Sequence, residues 1–277
     1  MFEKILSNRF YILYLIPFLL GGVTVFSFQP FNLSFINFFV LPILFYLIIY
    51  IKKKSKSIYR KKPFKKNLFI FGTTFGFGFY LCGIHWIMNS LTFDESFRIL
   101  IPFGLILIPL FLSLFFSITI LIIGPFLNLN FISILLFSSG LSLSDYIRAK
   151  ILTGFPWNLW AYSFSWATEI IQILNKTGLF AFNLISITLF VMPAILFFKL
   201  KVTQKIFSFF LIAIIFFTFY IYGNHAINKN EIDLKIVESK VNVKVISPNF
   251  NLEYGLNDLE IKSRLKKLIK ISEPEKK

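Results

Sequence analysis

Few residues of this 277-residue chain stand where chemistry could be done. Asp145 and Arg148 lie three apart near the end of an apolar stretch. That spacing lets a carboxylate and a guanidinium pair on one helix face. An ionisable residue in an apolar run is also a functional candidate by default, so a structural ion pair and a catalytic carboxylate are both open. His85 stands beside Trp86 and fits either a proton relay or ligand, or a residue of the membrane interface. Cys82 is the single cysteine, which excludes an intramolecular disulfide and a cysteine metal cluster. Apolar surroundings keep a thiol protonated, so Cys82 is read as a packed small side chain rather than a nucleophile. Glu169, Gln172, Asn175 and Lys176 precede another apolar run and suit an interface. No series of carboxylates runs through the apolar segments, which weighs against an ion-coupled transporter. No cofactor and no metal is expected.

Two stretches have a composition of their own. Gly72, Gly76 and Gly83, within GTTFGFGFYLCGIHW, lack the Lys-Ser/Thr that completes a phosphate loop. Their small-residue spacing suits close helix packing in lipid. Residues 152–166, LTGFPWNLWAYSFSW, combine Gly154 and Pro156, which impose irregular backbone, with Phe155, Trp157, Trp160, Tyr162 and Trp166. This is either an aromatic belt or a wall for a lipid-like substrate. Gly154, Phe155, Pro156, Trp157, Tyr162, His85 and Trp86 are the candidate substrate-lining residues.

The elements that must position them are membrane spans. The chain is 56% hydrophobic and 15% charged, with 39 Phe, against about 45–50% apolar in soluble domains. A bilayer core of about 30 Å needs roughly 20 apolar residues per helix. Seven runs qualify, at about 10–28, 34–51, 68–88, 99–123, 131–146, 177–198 and 206–222. The net charge of +16 could suggest nucleic-acid binding. Nine basic residues, however, fall in the 52–66 loop between two spans, where they act as a positive-inside signal. No nucleic acid is expected as a partner. With the N-terminus cytoplasmic, the 52–66 and 199–205 loops are cytoplasmic too. The Asp94/Glu95 loop, the aromatic segment and the tail then lie outside.

The tail after residue 223 is polar. Val241, Val243 and Val245 alternate as in a strand, and Pro248-Asn249 ends it. Asn257 and Glu260 have capping-box spacing. Ile261, Leu265, Leu268 and Ile269 fall on one face of the helix that follows. One strand and one helix make no core, so the tail is expected to be the first βα unit of a larger domain.

Five motifs resemble one family. LTGFPWNLWAYSF (152–164) resembles the "TGFPW…GYS" signature of bacterial apolipoprotein N-acyltransferases. FSFQPFN (26–32), GFGFYLCGIHWIMNSL (76–91), GLFAFNLISI (178–187) and VKVISPNFN (243–251) resemble its other segments in the same order. The resemblance covers almost the whole chain but only about the N-terminal half of the family's length. It implies an α-helical polytopic membrane protein of about seven transmembrane helices (1–223). These are followed by the first βα unit of an incomplete α/β nitrilase-like domain (224–277). It implies a multi-pass protein of the bacterial inner membrane. There a phospholipid acyl donor would pass its chain to the amino group of a diacylated lipoprotein acceptor.

The family's Glu-Lys-Cys triad is not matched. Glu273 and Glu275 do not follow a Trp-Pro, and Cys82 lies in the wrong domain. Asp145 falls where the family tends to carry a glutamate. This chain alone is therefore expected to be inactive. The alternative is a non-catalytic lipid-binding scaffold or transporter-like membrane protein.

Overall fold

A computed structural model describes residues 8–55, 63–151, 154–236, 244–251 and 255–272. Among the described residues, seven apolar helices form the body: α1 (Tyr11–Ser27), α2 (Ser34–Lys54), α3 (Phe64–Thr92), α4 (Glu95–Phe126), α5 (Phe131–Arg148), α6 (Leu179–Phe197) and α7 (Val202–Ile236). Among the described residues, five of these are long and apolar enough to cross a membrane, α2, α3, α4, α6 and α7. The sequence predicts seven spans. The two that differ are α1, which is shorter, and α5, whose serines and terminal Asp145 and Arg148 dilute its apolar run. The last expected span, 206–222, continues without a break to Ile236, because Asn224 to Leu234 carry no Pro to stop it and Gly223 is tolerated inside the helix.

α3 is the centre of the packing and touches α1 on one side and α4 on the other. Glycine permits both contacts. A Cβ on Gly72 would come within 2.7 Å of the Ser117 Cα, and one on Gly76 within 2.8 Å of the Ser113 Cα. Thr73 and Ser117 share a 2.7 Å hydroxyl hydrogen bond at the same crossing. Toward α1, Gly78 faces the Phe18 carbonyl and Gly21 faces the Phe75 carbonyl, backbone against backbone. Aromatic rings fill the space between helices. Phe75 meets Phe116 edge-on at 5.1 Å, and Phe45 meets Phe137 at 5.6 Å.

The two ends of the bundle differ in charge. Arg9 donates to Asn67 and Asn67 donates to Ser55, while Lys52 reaches the Leu127 carbonyl at 2.7 Å. These bonds bring Arg9, Lys52, Lys53, Lys54, Lys65 and Lys66 to one end, near the α4–α5 turn. At the other end, Trp166 donates to Ser34 and the Trp86 ring meets that of Trp157. There Asp94 caps α4 by accepting from the Ser96 amide and hydroxyl, and these bonds hold its carboxyl below the usual range.

Two sequence expectations need correction. Lys244–Ser247 form no strand, and 241–243, the rest of the predicted one, lie outside the described residues. A strand needs a partner to satisfy its backbone groups, and among the described residues none is present. Cys82 is exposed on α3 beside Gly22 rather than packed inside. The helix after the capping box is present as α8 (Asp258–Ser272). Asn257 and Glu260 exchange the reciprocal bonds at 3.2 and 2.9 Å. Its apolar face, with Ile261, Leu265, Leu268 and Ile269, is exposed.

Candidate functional site

The aromatic segment is held by a buried polar cluster at the end of α5. The Asp145 and Arg148 side chains are 7% and 1% exposed, so their pairing takes place away from water. Arg148 Nη2 donates to Asp145 Oδ1 at 3.0 Å. Its Nη1 donates to the Phe155 and Trp157 carbonyls, the latter at 2.8 Å. The guanidinium lies over the Tyr80 ring of α3 at 5.5 Å. A planar fork with several donors can make these bonds together, which a point-charge ammonium cannot. The second carboxylate oxygen is also satisfied. Asn183 of α6 donates to Asp145 Oδ2 at 2.9 Å and accepts from the Ala161 amide at 3.0 Å. Helices α3, α5 and α6 thus meet the segment at one point.

The local backbone explains why this segment needs such a clamp. Gly154 has φ +78° and its Cβ position would meet the Ala149 carbonyl, so a side chain is excluded there twice over. Asn158 also has positive φ, a conformation that Asn tolerates better than most residues. Gly83 of α3 abuts its carboxamide. Irregular backbone leaves carbonyls without ladder partners, and at a membrane edge these must find donors inside the protein. Arg148 supplies them for Phe155 and Trp157.

Of the residues expected to line a site, Gly154, Phe155 and Trp157 are brought together by this clamp. Pro156 is carried between them and is exposed. Trp86 joins through its ring, 5.1 Å from that of Trp157, and its Nε1 donates to the Gly83 carbonyl. Tyr162 sits on a short turn, Trp160–Phe164. Burial pushes its phenol above the ordinary range while Arg148 opposes the shift. His85 is exposed and its Nδ1 is engaged with the Cys82 carbonyl at 2.9 Å. Leu152 and Thr153 lie outside the described residues. Sequence reasoning overlooked Tyr80, Asn183 and Asn158 as site residues. For Asn183 a signal existed, since a carboxamide in the apolar run 179–191 needs a buried partner.

An apolar groove leads to the cluster. A cavity of about 260 Å³ lies between α4 and α5, lined by residues that include Phe115, Ile118, Gly140, Ile147 and Ile151. A smaller one, about 70 Å³, shares Phe115 and Ile151 with it and reaches Arg148, Gly154 and Phe155. Among the described residues no group of three or more metal-ligating side chains occurs.

Asn183 tests the cluster without touching either charge. Asn183→Leu leaves one carboxylate oxygen and the Ala161 amide without partners. A loss of about 1–3 kcal/mol is expected, read from unfolding by titrated SDS in mixed micelles. A loss under a few tenths would mean that water replaces both bonds.

The sequence pattern described as the apolipoprotein N-acyltransferase N-terminal domain matches residues 20–189, which include the whole cluster. A protein named apolipoprotein N-acyltransferase from Rhodopseudomonas palustris is 27% identical over 182 residues, 65% of this chain and 33% of its own. One of the same name from Brucella melitensis is 29% identical over 187 residues, 66% and 34% of the two chains. One from Rickettsia typhi is 34% identical over 176 residues, 62% and 32%. The match therefore takes in about a third of the length of these curated relatives.

Proposed function

Because the chain belongs to the apolipoprotein N-acyltransferase family through residues 20–189, we propose that it forms the membrane platform for that acyl transfer. On this reading a phospholipid is the acyl donor. The acceptor is the N-terminal amino group of a diacylglyceryl-cysteine lipoprotein. The observation that carries it is the clamped 154–162 segment standing at the mouth of the α4–α5 groove. The groove is lined by apolar side chains, as an acyl chain requires, and the segment would face the ester and headgroup region. Gly154, Phe155, Pro156, Trp157, Tyr162, His85 and Trp86 are the proposed lining residues.

The topology proposed is seven crossing segments in the bacterial inner membrane. The charge asymmetry of the two ends supports it, since basic residues favour the cytoplasmic side. The aromatic segment is then periplasmic, and so is the start of a nitrilase-like domain at 224–277. The exposed apolar face of α8 is consistent with a helix that belongs to such a domain. The family's Glu-Lys-Cys chemistry is not carried by residues of this region. No acyl-thioester is expected on this chain given a phospholipid donor. Hydroxylamine-sensitive label at Cys82 would contradict that.

A photoactivatable phospholipid tests the platform itself. In proteoliposomes of the 277-residue chain, with the reactive group on the acyl chain, crosslinks should concentrate on Phe115, Ile118, Ile147, Ile151 and 154–157. Phe207 and Phe210 of α7, which are more exposed, should label several-fold less. Labelling in simple proportion to exposure would remove the groove from the proposal.

A further inference from the structure

The basic end of the bundle contains a second cavity, far from the aromatic segment. It measures about 350 Å³ and is lined by Lys53 of α2, residues 129–131 of the α4–α5 turn and 198–200 after α6. Three consecutive lysines end α2, and each has a different role. Lys52 is occupied, donating to the Leu127 carbonyl and to Asn128 Oδ1. Lys54 lies over the Tyr50 ring at 5.5 Å. Lys53 lines the cavity and, among the described residues, has no hydrogen-bond or ion-pair partner. Lys199 also lines it and is likewise without a partner among the described residues. No carboxylate lines the space, and Asn130 is engaged in capping α5 through the Ser133 amide. The remaining walls are apolar, with Leu129, Phe131, Phe198 and Leu200.

Two ammonium groups that line one cavity, both of them exposed, offer an anion attraction from two sides. Basic pockets between transmembrane helices on the cytoplasmic side suit lipid head groups. We propose that this cavity binds the phosphate of an anionic phospholipid of the inner leaflet between Lys53 and Lys199. Its glycerol and upper acyl chains rest on Phe131, Phe198 and Leu200. The apolar walls select a lipid over a free phosphate, which would gain nothing from them. This cavity shares no lining residue with the proposed acyl-donor groove and lies at the opposite end of the bundle from the aromatic segment, so its occupant is a structural lipid and not the acyl donor.

Native mass spectrometry of the 277-residue chain in detergent, with phosphatidylglycerol and phosphatidylcholine in competition, tests it. Wild type should retain phosphatidylglycerol preferentially. Lys53→Gln with Lys199→Gln should weaken that retention roughly 25-fold, at about fivefold for each ammonium near an anionic lipid. Lys54→Gln with Lys201→Gln removes the same charge from the same end but leaves the cavity intact, and retention should stay within about twofold. Equal loss in both pairs would reduce the effect to diffuse surface charge and overturn the proposal. Retention unchanged in the first pair would also overturn it. Inorganic phosphate should not displace the lipid. Displacement by millimolar phosphate would assign the cavity to a soluble anion instead. Crosslinking in the α4–α5 groove is read separately, so failure here leaves the platform reading standing.

Discussion

Replacing Arg148 by Ala should destabilise the protein by about 3–5 kcal/mol, the cost of removing one partner from a buried ion pair. The structure shows why the loss is large. Asp145 would keep only the Asn183 bond, and a nearly buried carboxylate would stay without its counter-charge. The Phe155 and Trp157 carbonyls would lose their donor at the same time. Two measurements separate these effects. SDS-titrated unfolding reports the global loss. Limited proteolysis between 149 and 158 reports release of the segment, which should be cut many times faster in the variant. Arg148→Lys keeps the charge opposite Asp145 but cannot reach both carbonyls and the carboxylate together. It should recover much of the global stability and little of the protection from proteolysis. Asp145→Leu with Arg148→Leu removes both charges and should cost less than Arg148→Ala alone, while the segment remains loose. If the segment stays protected in Arg148→Ala, the carbonyl bonds do not position it and the clamp is only an ion pair.

The second large effect is expected at the crossing of α1 and α3. Gly78→Val places a branched side chain against the Phe18 carbonyl, and Gly21→Val places one against the Phe75 carbonyl. The obstacle in each case is backbone, which cannot rotate aside as a side chain can. The helices must therefore separate along their whole contact. The cost should reach or exceed the upper end of the about 1–3 kcal/mol usual for overpacking. Because α3 also carries Tyr80 and Trp86, a displaced α3 should shift the tryptophan emission that reports on the Trp86–Trp157 contact. Gly22→Ala is the control. Its nearest neighbour is the Cys82 Sγ at 3.3 Å, the movable end of a side chain, so its effect should be small. Equal unfolding midpoints for Gly78→Val and Gly22→Ala would show that α1 and α3 do not need close approach.

Much of this fold was legible in the order of residues. Apolar runs long enough for lipid mark the helices, and the 52–66 lysines mark one end. Small-residue spacing marks Gly72 and Gly76 as packing positions, and both meet α4. Gly78 makes the tighter contact but is not marked by the sequence, because a glycine's neighbour lies on another helix and leaves no trace in spacing. The exposure of Cys82 on α3 is hidden from the sequence for the same reason. An apolar run says that a helix is in lipid, not which of its faces meets protein.

The site was legible in part. The motif at 152–164 singled out the segment, and three-residue spacing suggested the Asp145–Arg148 pair. Hydropathy and helical period are local properties, and the sequence by itself determines them: the apolar helices, the basic end, the capped α8 and the family signature. What only the tertiary structure decided is where the second half of the Arg148 fork goes. Its partners are carbonyls of irregular backbone seven and nine residues on, and the carboxylate it holds is shared with Asn183, 38 residues away. Carbonyls carry no sequence signal because every residue has one. Which of them lacks a partner, and so needs a donor, depends on how the chain turns after α5 and on the helices that close over it.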